Sequence, residues 1–323
     1  MLTSPDFSKK QIIFVFFNDG EKLAFSNDNI LVKDSDGKIK FQCTCYRVFI
    51  VFAVGHTSIT STLIQKTKKF GFFIALMTAS FRLYALIGDT KAGNTLLRRK
   101  QYQYGGLELA KMITANKASN QLYCLKAVRD KSDAVKDAID HISSYIQKIP
   151  ECSELNELMA YEGLISKLYF KNHFNNTTWT GRQPRIKRDH VNAALDIGYT
   201  LLFTFIDALL LSYGFDTYCG VMHRPFYMRK SLVCDLVEPF RPLIDRQIKK
   251  CINLSQIKQD DFLVQSMQYR LKWSQSPRYV KFLMSPIIER KAEIFDYIQS
   301  YYRCFMKEAR AEAFPVYDMG AAK

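Results

Sequence analysis

Gly88-Asp89-Thr90-Lys91-Ala92-Gly93-Asn94 separates a β-rich part of the chain from a helical part. Two glycines and small polar residues break the hydrophobic periodicity of either kind, so a linker is placed at residues 89–96. Upstream, Ile12-Ile13-Phe14-Val15-Phe16-Phe17 is a β-rich run closed by Asn18-Asp19-Gly20, and Asp34-Ser35-Asp36-Gly37 turns into Lys38-Ile39-Lys40-Phe41. Asn27-Asp28-Asn29 leads into Ile30-Leu31-Val32, further strands are expected over 46–54, 70–77 and 81–87, and a short helix over 61–69. Turn signals at such short intervals predict a small sheet domain over residues 1–88.

Downstream the pattern is helical almost to the end. Helices are expected from Leu107, from Ala134 to Ile149 before Pro150, and from Ser153-Glu154-Leu155-Asn156-Glu157, the last carrying Glu162 on its later turns. Residues 170–190 are polar, aromatic and proline-containing, which predicts a loop or flap. A final long helix is expected over 287–313 and a poorly ordered tail over 315–323. Leu195 to Phe215 has the length of a membrane span, but Asp196 and Asp207 interrupt it, so it is read as a buried core helix. The expected fold class is α+β in two domains: a small N-terminal β-sheet domain, then a larger all-α domain over residues 97–323.

The 323 residues carry a net charge of +15 with a sequence pI near 9.3, which favours an anionic partner and points to nucleic acid. The cations cluster: Arg98-Arg99-Lys100; Arg182, Arg185, Lys187 and Arg188; Arg224, Arg229 and Lys230. Between 269 and 282, Tyr269, Arg270, Lys272, Trp273, Arg278, Tyr279, Lys281 and Phe282 interleave cations with flat rings, a pattern suited to phosphates and unpaired bases. Eight irregularly spaced cysteines do not form a disulfide framework and are read as free thiols in a reducing cytoplasm. The N-terminal residues lack a secretory signal pattern, no membrane association is expected, and the sequons in Asn175-Asn176-Thr177-Thr178 have no meaning in a cytoplasmic protein.

Three segments bear the chemistry: Tyr161-Glu162-Gly163, Gly220-Val221-Met222-His223-Arg224, and Ser231 to Pro242. Each sets an ionisable group inside apolar sequence, where a charge is costly without a partner. Carboxylates and an imidazole with no nearby cysteine make a mostly oxygen-donor set, which suits Mg²⁺ or Mn²⁺. Asp235 and Glu238 are three residues apart, a spacing that places both on one helix face. Such a cation polarises a phosphodiester, which makes phosphoryl transfer on nucleic acid the leading reaction class. Spacing alone does not join Glu162 to His223.

A resemblance does. Glu162-Gly163 followed by Tyr169-Phe170, Asn192-Ala193-Ala194-Leu195 with Gly198-Tyr199-Thr200-Leu201-Leu202, Gly220 with His223, and Ser231 to Pro242 occur in the order found in the CRISPR-associated spacer-acquisition integrases, the Cas-one family. Upstream, the stretch from Asn94 to Tyr102 resembles that family's Arg-x-x-Gln-Tyr opening of the helical domain. After Glu162-Gly163 the chain departs from the family's alanines and arginine with Leu164, Ile165, Ser166 and Lys167, the last keeping the positive charge.

The resemblance implies that Glu162, His223 and Glu238 hold the metal with Asp235 as acidic neighbour; whether Asp235 or Glu238 coordinates more directly stays open, with Glu238 leading. It implies a prokaryotic integrase and endonuclease that joins the 3′-hydroxyl ends of a short spacer duplex to a CRISPR repeat. A nuclease without integration, or a silent DNA-binding scaffold, are the alternatives. It further implies dimerisation through the β domain, paired dimers on DNA and, in most members, a small ferredoxin-like partner. Lys167, Arg224 and Arg241 are candidate phosphate clamps, Arg241 alternatively pairing with Glu238. Arg229 and Lys230 belong to the DNA-binding surface, Tyr169 and Tyr199 are candidates for positioning a strand, and Ser231 either bonds DNA or caps its helix.

Overall fold

The structure is a computed structural model that describes residues 2–129, 131–174, 179, 181–184, 186–223 and 226–321. Arg185, Arg224 and the segment Asn175-Asn176-Thr177-Thr178 lie outside the described residues.

The N-terminal part comprises α1 (Ser4–Ser8), β1 (Gln11–Phe17), β2 (Lys22–Ser26), β3 (Asn29–Lys33), β4 (Ile39–Thr44), β5 (Val48–Gly55), β6 (Ser58–Ile59), α2 (Ser61–Phe70), β7 (Phe73–Met77) and β8 (Leu83–Ile87). These strands form two four-stranded sheets, ordered β1-β5-β7-β8 and β4-β3-β2-β6. In the first, β1, β5 and β7 run parallel, with α2 between β5 and β7, and β8 returns antiparallel. The unforeseen strand β2 pairs antiparallel with β3 across Asn27 (φ 46°) and Asp28 (φ 57°). Two successive left-handed residues make the tight turn that matches strand twist, and Asn and Asp tolerate it.

β5 is buried along its whole length because both of its faces are covered. Val48, Val51 and Ala53 pack with Leu23, Ile30 and Val32 of the second sheet, whereas Phe49, Ile50, Phe52 and Val54 join the core of the helical part. A near-continuous apolar run is what a parallel strand covered on both faces requires. The sheet and the helices therefore share a core: Phe7 stacks on Phe295 with ring centroids 4.2 Å apart and meets Phe49 edge-on at 5.0 Å.

The helical part contains α3 (Thr95–Gln103), α4 (Glu108–Lys126), α5 (Asp133–Lys148), α6 (Leu155–His173), α7 (His190–Tyr213), α8 (Ser231–Val237), α9 (Arg241–Asn253), a hairpin of β9 (Phe262–Gln265) and β10 (Gln268–Leu271), α10 (Ser276–Glu289) and α11 (Lys291–Met306). Helix α7 has the length and composition of a membrane span, yet it is mostly buried within the protein. Its N-cap Asp189 accepts from Asn192 N at 2.7 Å, and the close approach of α9 requires Gly198, where a Cβ would lie 2.5 Å from Ile244 Cγ2.

Several expectations are corrected. The stretch 170–173 continues helix α6 rather than opening a loop. The span 287–313 is divided at Arg290 between α10 and α11. The cation-aromatic stretch begins in the β9–β10 hairpin. The tail is docked: Tyr317 and Met319 are buried, and Asn116 and Asn120 of α4 hold their backbone. All eight cysteines are free.

Candidate active site

Helices α4, α6 and the α8–α9 segment bring three charges together. Glu162 projects from α6, Lys117 from α4, and Glu238 opens a 3₁₀ turn, Glu238–Phe240, between α8 and α9. Pro239 lacks an amide hydrogen and interrupts the α-helical ladder there. The Lys117 ammonium pairs with Glu162 Oε1 and lies 2.6 Å from Glu238 Oε2. Arg241 Nε donates to the other oxygen of Glu238 at 2.8 Å. Burial alone would raise the Glu238 carboxyl, but Arg241 and Lys117 pull it down to about 2. Burial likewise disfavours the Lys117 cation, and Glu238 and Glu162 overcome it, leaving the ammonium firmly protonated.

Asp235 is fully buried and turns to different partners. Its Oδ2 accepts from Val221 N at 2.6 Å and Met222 N at 3.1 Å, and its Oδ1 from His223 N at 2.9 Å. The His223 ring places Nδ1 at 2.6 Å from the same Oδ1, so Nδ1–H donates and Nε2 is left with its lone pair. Asp235 and Glu238 thus do not act on one face as a pair: Asp235 organises the loop and aims the imidazole, and Glu238 faces the cations. Gly220 permits this wrapping, since a Cβ there would lie 2.6 Å from Asp235 Oδ2.

The turn that delivers His223 is anchored by the Gln-Tyr pair of α3. Gln101 Nε2 donates to Asp216 O at 3.0 Å, its Oε1 accepts from Asp216 N at 2.8 Å, and Tyr102 Oη donates to Asp216 Oδ2 at 2.7 Å. Asn192 has a comparable task, accepting from Arg182 Nη1 at 3.0 Å and Gln183 N at 2.9 Å and so folding residues 181–183 onto α7.

Lys117, Glu162, Glu238 and Arg241 line a cleft of about 1730 Å³ whose walls include Lys167, Lys171, Arg182, Arg229, Lys230 and Arg270; His223 and Asp235 stand behind this lining rather than in it. Lys167 is exposed there, as a phosphate clamp requires. Lys230 is instead tied to the buried Asp207 at 2.5 Å, and Arg241 lies 4.7 Å over the Tyr199 ring. Tyr169 is wholly buried, so it packs in the core and does not face the cleft. Ser231 is buried too; it is the first residue of α8, whose N-cap is Lys230 and has no side-chain cap, so the capping expectation is corrected. Its hydroxyl accepts from Arg229 Nε at 3.4 Å. The candidate clamp Arg224 lies outside the described residues.

Sequence reasoning missed Lys117. Ile113, Asn116, Lys117 and Asn120 are buried and follow an i, i+3, i+4, i+7 pattern, and that signal places a lysine on a core-facing stripe, where it needs acidic partners. It also missed the cleft-lining loop tip Phe226, Tyr227 and Met228, exposed at 71, 88 and 71%.

Among the described residues, no group of three or more His, Cys, Asp and Glu side chains stands ready to hold a metal. The donor chemistry nonetheless fits a hard cation in part: Glu162 and Glu238 already converge on a positive charge.

Residues 14–283 match the model of the family described as "CRISPR associated protein Cas1". A CRISPR-associated endonuclease Cas1 of Rhodospirillum rubrum is 32% identical over 264 residues, covering 76% of each chain, and one of Pyrobaculum aerophilum is 29% identical over 238 residues, covering 70% of this chain and 77% of that one. A CAS1 protein from Thermotoga maritima superposes with a TM-score of 0.80 at 18% identity, covering 92% of this chain and 97% of that chain. A casposase bound to its integration product gives 0.76 at 17% identity, covering 97% and 96%. The family match spans both β sheets, the Glu162 helix and the His223–Glu238 segment, and on that ground the chain belongs to the Cas1 family of CRISPR-associated proteins.

Proposed function

We propose that this chain is a metal-dependent DNA strand-transferase and endonuclease of CRISPR adaptation, joining the 3′-hydroxyl ends of a short duplex to a repeat by transesterification. The observation that carries the reading is the convergence of Glu162 and Glu238 on one positive charge at the floor of a cationic cleft. Glu162, Glu238 and Nε2 of His223 would hold Mg²⁺ or Mn²⁺. When bound, such a cation stabilises charge developing on the phosphoryl oxygens. Asp235 keeps Nδ1 of His223 protonated and Nε2 free to donate its lone pair. Lys167, exposed on the cleft wall, neutralises a DNA phosphate there.

The names of the Rhodospirillum rubrum and Pyrobaculum aerophilum relatives, both CRISPR-associated endonucleases, support the cutting half of this reading. The casposase likeness at the level of fold supports the joining half. A solved Cas6-RT-Cas1–Cas2 complex, whose match has a TM-score of 0.82 at 20% identity and covers 96% of this chain but 36% of that one, supports assembly with a partner protein. Dimerisation through the β part and a cytoplasmic setting complete the reading.

The test supplies a labelled short duplex with 3′-hydroxyl ends and a supercoiled repeat-bearing plasmid, with Mn²⁺. Wild-type protein is expected to join them, and Glu162→Ala and His223→Ala are expected to abolish joining while binding the duplex almost as before. Cut plasmid without joined product would favour a nuclease, and full joining by either variant would defeat the metal-site assignment.

A further inference from the structure

Lys117 occupies the position between the two carboxylates on which the proposed metal site depends. Its ammonium is the one cation shared by Glu162 and Glu238 among the described residues. The side chain is only 10% exposed, and burying it would be costly without both acids. Ser166 Oγ donates to the same Glu162 oxygen at 2.9 Å, so that oxygen is saturated. Glu238 differs: Arg241 donates to its Oε1 at 2.8 Å, and its buried Oε2 has the Lys117 ammonium alone, at 2.6 Å, as its ion-pair partner among the described residues. One ammonium thus neutralises two carboxylates, an arrangement in which a divalent ion supplies the second positive charge.

We propose that Lys117 is an internal counter-cation that holds Glu162 and Glu238 in place in the metal-free protein and competes with the divalent ion for them. The inference rests on the metal-site reading above. Two carboxylates left facing each other without a cation repel, and their separation would disorganise the site before metal arrives. The ammonium prevents this. Metal binding must then shift the Lys117 head group away from at least one acid, and the open cleft provides room, since Lys117, Glu162 and Ser166 all line it. Released toward the cleft, the ammonium becomes available to a DNA phosphate, so metal loading and phosphate binding are coupled through one side chain. Lys117 is thus a positioning residue that sets the affinity of the site rather than a ligand of it.

The experiment is Mn²⁺ binding to the full chain without DNA, by electron paramagnetic resonance, for wild type, Lys117→Met and Lys117→Arg, with melting temperatures in EDTA and in Mn²⁺. Lys117→Met is expected to bind Mn²⁺ about tenfold more tightly than wild type, to melt lower in EDTA, and to regain more on adding Mn²⁺. Lys117→Arg, which keeps the charge, is expected to stay within about threefold of wild type. In wild type, Mg²⁺ titration is expected to move a single lysine side-chain signal in the ¹³Cε spectrum, a readout that does not depend on a variant folding. Unchanged or weaker Mn²⁺ binding by Lys117→Met, or a lysine spectrum unmoved by Mg²⁺ that does bind, would overturn the counter-cation role while leaving the metal site standing. Absence of Mn²⁺ binding by every protein would overturn the metal-site reading and this inference with it.

Discussion

His223 is fastened to Asp235 twice: its backbone amide donates to Oδ1 at 2.9 Å and its ring Nδ1 lies 2.6 Å from the same oxygen. With Val221 and Met222 also donating to this carboxylate, Asp235 is the centre about which the 220–223 loop is built. Asp235→Asn replaces an acceptor by a donor facing these groups, and an expected loss of about 1–3 kcal/mol follows from leaving buried amides unpaired. Gly220→Ala is expected to act in the same direction, because the added methyl would meet Asp235 Oδ2 and Ser231 Cβ. Chemical denaturation of both variants checks this; wild-type stability in Asp235→Asn would refute the wrapping role.

Asp245 lies buried beneath the cleft and accepts from the Tyr199 hydroxyl. Burial raises its carboxyl to about 6, from an ordinary value of 3.8, with Tyr199 opposing the rise. Between those two values the folded protein holds a proton that the unfolded chain has lost, so stability falls as pH rises through this window and levels off above it. Asp245→Asn is expected to remove that decline, worth on the order of 3 kcal/mol. Glu238 acts in the opposite sense at lower pH: its contribution is present above about 4.5 and disappears as pH falls toward about 2. Urea unfolding at a series of pH values separates the two. A decline of equal size in Asp245→Asn would rule out this residue as its source.

Tyr227, with Phe226 and Met228, stands exposed on the cleft wall next to cationic Arg229 and Lys230. An exposed ring over a cationic groove suits stacking on an unpaired base, worth about 1–3 kcal/mol. Tyr227→Ala is expected to weaken binding of a duplex with single-stranded 3′ tails by about tenfold and to leave blunt duplex unaffected. Fluorescence anisotropy with the two labelled DNAs decides it; equal losses on both would assign the tyrosine to general surface contact.

Asn120 ties two backbone segments together, donating to Pro239 O at 3.0 Å and Tyr317 O at 2.9 Å and accepting from Met319 N at 3.1 Å. Pro239 adjoins Glu238, so the C-terminal tail buttresses the segment that carries a candidate ligand. Asn120→Ala is expected to cost about 2–4 kcal/mol, since it strands several buried polar groups. Limited proteolysis is expected to trim the variant from its C-terminus first. A tail as resistant as the wild type's would show that Tyr317 and Met319 dock without it.

The order of elements, sheet first and helices after, was legible because it rests on local signals. Asn18-Asp19-Gly20 ends β1 and Pro150 ends the Asp133–Lys148 helix region through backbone geometry that neighbouring residues dictate. Helix α7 was legible as core from its two aspartates, each found paired: Asp196 with Arg182 and Asp207 with Lys230. The β9–β10 hairpin was not, since its turn at Ser266 (φ 48°) and Met267 (φ 59°) carries none of the residues that announce a left-handed turn.

Chain order and residue type were enough to establish that a basic protein of β-then-α layout carries Glu162, His223, Asp235 and Glu238 in a known order. They were not enough to divide the labour among those four. Asp235 and Glu238 are indistinguishable at a spacing of three, and what separates them is the partner each meets: loop amides for one, Lys117 and Arg241 for the other. Lys117 reaches Glu162 across 45 residues, a contact that no local pattern encodes because it exists only when α4 and α6 pack together. The physical reason is general: backbone propensities act between neighbours, whereas the charge state and orientation of a buried group depend on what the folded chain brings around it.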